Sequence, residues 1–154
     1  GYQIGHQTEW AKLLLQLDAL QPADWHLPCA QRLFDAAVER GWDAEHGGLY
    51  YGMAPDGSIC DDGKYHWVQA ESLAAAAVLA VRTGDERYWQ WYDRIWTHCW
   101  AHFVDHEHGA WFRILHRNNR NTTRDKSNAG KVDYHNMGAC YDVLGVVGLG
   151  AETG

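Results

Sequence analysis

Asp43-Ala44-Glu45-His46-Gly47-Gly48-Leu49-Tyr50 and Asp105-His106-Glu107-His108-Gly109-Ala110-Trp111-Phe112 carry one pattern, D-x-E-H-G-small-apolar-aromatic, displaced by 62 residues. Each reads as a glycine turn leading into a short β segment. Outward from these turns, apolar residues recur at helical spacing in five stretches: 8–20, 23–40, 67–83, 86–103 and 134–147. In the first, Trp10, Leu13, Leu14 and Leu17 share a face. Pro22 opens the second and Gly41 closes it, the Ala-rich third stops at Gly84, and Asp85 is placed to cap the fourth. Gly63-Lys64 precedes the third helix and Gly130-Lys131 the fifth. The unit is therefore helix, hairpin, Gly-Lys loop, helix. It occurs twice, and a partial copy opens the chain where Gly5-His6 precedes the first helix. Self-similarity at this period means an array of helix pairs. Such pairs either stack into a solenoid or close into an α/α toroid, and the fold class is all-α. Long hairpins favour the toroid, because they gather at one rim and can wall a pocket. A protein-binding solenoid is the competing architecture, but its repeats are usually shorter and lack such loop chemistry.

Bulk properties narrow the function classes. The 154 residues are 46% hydrophobic, enough for one compact domain with a core. Mean hydropathy is −0.49, and no apolar run approaches the roughly 20 residues that span a bilayer. The longest candidate, residues 73–81, starts beside Glu71. No basic stretch followed by an apolar one opens the chain, so no secretory signal is expected. The missing initiator Met suggests a fragment or a processed chain. A net charge of −7 argues against nucleic acid, since the one basic cluster, residues 113–131, is diluted by Asp125. Cys29, Cys60, Cys99 and Cys140 are scattered without a CxxC pair, which fits free thiols in a cytoplasmic setting. Nine Trp and eight Tyr against three Phe supply flat apolar faces with polar tips, a composition suited to stacking on sugar rings.

Three helix starts place polar groups where apolar ones would be expected. Gly5-His6-Gln7-Thr8-Glu9-Trp10 sets His6 just before a helix and Glu9 three residues later, so both can face one point. Lys64-Tyr65-His66-Trp67-Val68-Gln69-Ala70-Glu71 sets Trp67 and Glu71 one turn apart, and Lys131-Val132-Asp133-Tyr134-His135-Asn136 adds His135. In a toroid, equivalent junctions face one central cavity, so two His, two Glu and a Trp would surround one pocket. Plainer roles exist for several of them. Thr8 and Glu9 suit a helix cap and a first-turn acid, and Trp67 suits the core. Glu71 in an Ala-rich helix is harder to explain that way, because an unpaired buried carboxylate is costly. His46, His106 and His108 sit beside turn glycines and read as loop-shaping hydrogen bonders. A zinc site at His106 and His108 lacks a well-spaced third ligand.

These three motifs resemble the N-acylglucosamine 2-epimerase superfamily, in the right order and over nearly the whole chain to about Leu144. The resemblance implies an (α/α)6 barrel of twelve helices, of which residues 1–144 look like the C-terminal portion, the last five helices, followed by a Gly-rich tail at 145–154. It places the family's two proton-transfer histidines on His6 and His135, its assisting glutamates on Glu9 and Glu71, and a substrate-binding Trp on Trp67. It also implies an Arg and a third His from the first half of the barrel, which this sequence does not contain. Cellobiose-acting relatives tend to carry aromatics near the positions of Lys12 and Ala129, so the departures here point away from disaccharides. The expected partners are a monosaccharide and the missing N-terminal half, with a homodimer open as an assembly. No cofactor, metal, nucleic acid or membrane is expected.

The implied chemistry is proton transfer at sugar C2. That proton is weakly acidic even beside the C1 aldehyde, so its removal needs a base poised near neutrality and a group that holds the enediolate oxygen. Histidine titrates in that range. With His6 and His135 on opposite faces of C2, abstraction by one and redelivery by the other is 2-epimerisation. Redelivery to C1 is aldose–ketose isomerisation. The first expectation is a 2-epimerase interconverting N-acylglucosamine and N-acylmannosamine, and the alternative is a D-mannose/D-fructose isomerase. Further off stand a glycoside hydrolase using Glu9 and Glu71 as an acid/base pair, and a non-catalytic helical-repeat module.

Overall fold

Residues 68–80 of helix α3 (His66–Thr83) are buried on every side. A helix that is apolar all round belongs in the interior, and the six alanines of this one let its neighbours approach closely. The computed structural model describes residues 1–126 and 134–151. Helices α1 (Ile4–Leu20) and α5 (Tyr134–Ala151) flank α3 on its two sides, forming an inner layer. Helix α2 (His26–Gly41) packs on α1, and α4 (Glu86–His102) packs on α3, forming an outer layer. These two carry a single apolar stripe each, Ala30, Phe34, Ala37 and Val38 on α2 and Tyr88, Ile95 and Cys99 on α4. The result is an arc of a two-layered α/α toroid.

Short strands tie the loops together with the 62-residue period. Strand β1 (Tyr2–Gln3) pairs antiparallel with β2 (Gly52–Met53), which also pairs with β3 (Ile59–Asp61) across a register shift. Strand β4 (Lys64–Tyr65) pairs with β5 (Ile114–Leu115). The pairs Tyr2↔Met53 and Lys64↔Leu115 are one contact in successive repeats, as are the hairpin bridges Trp42↔Leu49 and Val104↔Trp111. Each hairpin turn closes in the same way. Asp43 accepts from the backbone N–H of Glu45 and His46, and Asp105 from those of Glu107 and His108. Gly48 and Ala110 occupy one position of the repeat, and both have positive φ, +81° and +60°. Only the glycine does so without a steric cost. Gly48 is also required sterically, since a Cβ there would meet His98 Nε2 at 2.4 Å.

The same period pairs Lys64 with Lys126, each 21 residues after its aspartate. Lys64 Nζ lies 3.1 Å from Asp43 Oδ2 and donates to the carbonyl of Arg117 and Oδ1 of Asn119. Lys126 Nζ lies 2.5 Å from Asp105 Oδ2. The repeat partner of Lys64 is thus Lys126, and Gly130-Lys131 lies outside the described residues. Lys64 is fully buried. Burial depresses its ammonium pKa, while Asp43, despite burial acting the other way, is pulled down to about 2 by Lys64 and the turn N–H groups.

Helix limits differ from the periodicity in three places. α1 begins at Ile4, not at residue 8, because β1 fixes the chain against β2 and Ile4 N–H donates to the Tyr51 carbonyl at 3.2 Å. α2 begins at His26, because the Asp18 carboxylate holds Ala23 N–H and His26 Nδ1 in the connecting turn. α5 continues past Gly145 to Ala151, so the segment expected as a tail is helical that far. Gly84, at φ +68°, ends α3, and Asp85 accepts from Arg87 N–H to cap α4. Trp10, Leu13, Leu17 and Leu20 lie exposed along α1, and Tyr134, Met137, Tyr141 and Leu144 along α5. Spacings of three and four residues make each set one face, and faces of this size are normally covered by protein. All four cysteines are free. Among the described residues no helix is long and apolar enough to cross a membrane.

Candidate active site

The inner layer brings His6, Glu9, Trp67, Glu71 and His135 together. Because α1 and α3 start at Ile4 and His66, Glu9 and Glu71 occupy one position of the repeat, 62 residues apart, on adjacent helices. His6, expected just before a helix, lies inside the first turn of α1. Thr8 is no cap: it is buried, donates to the Gly5 carbonyl at 3.1 Å and accepts from Ser72 at 2.9 Å. Trp67 and His135 are each the second residue of their helices, α3 and α5.

The Trp67 ring contacts both imidazoles, with centroids 5.2 Å from His6 and 5.3 Å from His135. Gly5 makes room for it, since a Cβ there would lie 2.4 Å from Trp67 Cζ3. His135 Nδ1 lies 2.7 Å from Glu71 Oε1. A carboxylate only accepts, so Nδ1 carries the proton and Nε2 keeps the lone pair in the neutral ring. Glu71 Oε2 faces Lys12 Nζ at 2.7 Å. Burial works against the Glu71 charge, but the contacts with His135 and Lys12 outweigh it and hold the carboxyl below its usual range. Lys12 mirrors this: burial opposes its charge, and Glu71 and Asp142 raise it above the ordinary lysine value. Asp142 completes the cluster, 3.1 Å from Lys12 Nζ through Oδ2 and accepting from Gln16 Nε2 at 3.0 Å through Oδ1.

Lys12, Gln16 and Asp142 were not anticipated as part of this cluster. A signal was present. Lys12 interrupts the buried run Ala11, Leu14, Leu15, three residues after Glu9, and Asp142 follows His135 by two helical turns. Glu9, Glu71 and His135 each offer one ligand atom within 4.8 Å of the others, a spacing that would suit a cation, but the Lys12 ammonium already neutralises Glu71. His106 instead contacts the Trp100 carbonyl at 2.9 Å, and His108 lies 3.7 Å from Asp105. Both shape their loop.

The two-layered helical arc thus gathers two histidines, two glutamates and an indole into one cluster on its inner helices. Residues 1–139 match the model of the N-acylglucosamine 2-epimerase family, and the chain belongs to that family. A D-mannose isomerase of Marinomonas mediterranea is 57% identical over 144 residues, covering 94% of this chain and 36% of the relative. An N-acylglucosamine 2-epimerase of Bos taurus is 30% identical over 138 residues, covering 85% and 32%. A crystal structure of D-mannose isomerase superposes with a TM-score of 0.92 at 56% identity, over 94% of this chain and 37% of that one. The chain thus spans about a third of the length of these relatives, and its helices are an arc of their (α/α)6 barrel.

Proposed function

We propose that the full barrel carrying this chain is an aldose–ketose isomerase interconverting D-mannose and D-fructose. The observation that carries the chemistry is the pair of imidazoles gathered at Trp67, one with its tautomer set by Glu71. The choice of sugar rests on the 57% identity to a D-mannose isomerase, against 30% to an N-acylglucosamine 2-epimerase. It therefore reverses the first expectation from sequence, which put the N-acyl sugar ahead.

In the open-chain aldose, one imidazole removes the C2 proton and the electron pair forms an enediolate across C1 and C2. Return of a proton to C1, with the O2 proton passing to O1, gives the ketose. Return to the opposite face of C2 gives the 2-epimer instead. His135 suits the base role, because Glu71 fixes its orientation and stabilises the imidazolium that forms. His6 supplies the second proton-transfer group, Glu9 assists beside it, and Trp67 offers a flat face for the sugar. A hydrolase fits less well. Its carboxyl pair stands about 5 to 9.5 Å apart with both groups free for the glycosidic bond, whereas Glu71 is engaged by His135 and Lys12 and approaches Glu9 within 4.8 Å.

The test is to incubate the full-length enzyme separately with D-mannose, D-fructose, N-acetylglucosamine and N-acetylmannosamine and to identify the products. Fructose from mannose, with the N-acetyl sugars unchanged, is the expected result. Interconversion of the N-acetyl sugars alone would restore the 2-epimerase.

A further inference from the structure

The Lys12–Asp142 pair has no role in the proton transfers just described, yet it is built into their support. Lys12 is 6% exposed and lies in the inner layer, where an ammonium is costly without partners. Its two carboxylate neighbours come from different helices, Glu71 on α3 and Asp142 on α5. A chain of contacts therefore runs Gln16–Asp142–Lys12–Glu71–His135 across all three inner helices, with spacings of 3.0, 3.1, 2.7 and 2.7 Å. Glu71 Oε2 accepts no well-aligned hydrogen bond, so the Lys12 charge is what it faces.

We propose that Lys12, anchored by Asp142, is a positioning residue for the reaction: its ammonium keeps Glu71 ionised and aimed at His135 Nδ1, and so tunes the basicity of Nε2. This rests on the assignment of His135 as a proton-transfer group. The charged and titratable groups around the Glu71–His135 pair, among the described residues, are Glu9 and Lys12 from α1 and Tyr134 and Asp142 from α5, with His6 of α1 against Trp67. Lys12 is the one fixed positive charge among them. Removing it leaves the pair more negative, so the pair takes up a proton at higher pH. Removing the Asp142 charge leaves Lys12 less compensated, so uptake moves to lower pH. Because Glu71 and His135 are coupled, the shift belongs to the pair.

The experiment compares Lys12→Met, Lys12→Arg and Asp142→Asn in the full-length enzyme by two readouts. The first is the pH profile of kcat/KM. The acidic limb should move up in Lys12→Met, lowering kcat/KM on the acid side by roughly tenfold. It should stay in place in Lys12→Arg and move down in Asp142→Asn. The second is the ¹⁵N NMR titration of the His135 ring, which should move in the same directions and needs no turnover. Opposite shifts from two neighbouring residues support the proposal. Limbs and titrations that stay put while kcat or melting temperature falls would overturn it and leave Lys12 as packing alone. If Lys12→Met does not fold, Lys12→Arg and Asp142→Asn still decide, because an unmoved titration in Asp142→Asn also overturns it. A wild-type enzyme inactive on every sugar would refute the proposed function, and the ring titration would still judge the Lys12 role separately.

Discussion

Replacing Glu71 with Gln keeps its shape and removes its charge, and the consequences can be worked out from the cluster. The Glu71 and Lys12 side chains are 2% and 8% exposed, and 2.7 Å apart. Breaking a buried pair by neutralising one partner costs about 3–5 kcal/mol, since the remaining charge is stranded. Asp142 stays 3.1 Å from Lys12, which places the expected loss near the low end, about 3 kcal/mol. Activity should suffer separately. An amide can still accept from Nδ1–H but cannot stabilise the imidazolium by charge, so kcat should fall by about 10²–10⁴. Chemical denaturation and steady-state kinetics of the full-length enzyme read the two effects, and a double variant separates them. Adding Lys12→Met to Glu71→Gln removes the stranded ammonium, so stability should largely recover while kcat does not. The pH dependence carries a sign as well. Glu71 is depressed in the folded state, so its contribution to stability is present above the unfolded value, about 4.3, and is lost as pH falls through the folded value. Glu71→Gln should flatten that acid-side loss. A Glu71→Gln enzyme with unchanged stability and kcat within threefold of wild type would refute this reasoning.

Other substitutions test the surroundings of the site and the repeat. Gly5→Ala sets a Cβ 2.4 Å from Trp67 and 2.9 Å from Val68 Cγ2; overpacking of about 1–3 kcal/mol, read by denaturation, should accompany a higher KM as the indole shifts. Trp67→Ala should raise KM and lower kcat through lost orientation, and unchanged kinetics with only a lower melting temperature would make Trp67 core. Ala110→Gly should stabilise by about 1 kcal/mol by relieving the positive φ, whereas Gly48→Ala, which also strikes His98, should destabilise. Asp43→Asn strands the fully buried Lys64 and should cost about 3–5 kcal/mol, while Asp105→Asn, whose partner Lys126 reaches solvent, should be far milder.

The helix pairing was legible because the 62-residue period writes the same turn chemistry twice, down to the paired aspartates. The clustering of His6, Glu9, Trp67, Glu71 and His135 was legible because each lies in the first two turns of an inner-layer helix, while their roles belong to the proposed function. Helix starts were misplaced where the deciding force is non-local: α1 gains a turn from the β1–β2 pairing, which periodicity within the helix cannot report. Lys12 and Asp142 escaped for the same reason. Their partnership depends on how α1 and α5 pack across α3, and their sequence separation hides it. The exposed faces of α1 and α5 fit the coverage of about a third of the relatives, whose remaining helices would cover them.

The central assignment, His6 and His135 as the proton-transfer pair, is tested most directly by following turnover in D₂O by NMR with the full-length enzyme and its His6→Asn and His135→Asn variants. For the isomerase, part of the mannose C2 hydrogen should reappear at C1 of fructose, and each variant should lose about 10²–10⁴ in kcat. Near-normal turnover in both variants would contradict the assignment and reduce the family resemblance to one of fold.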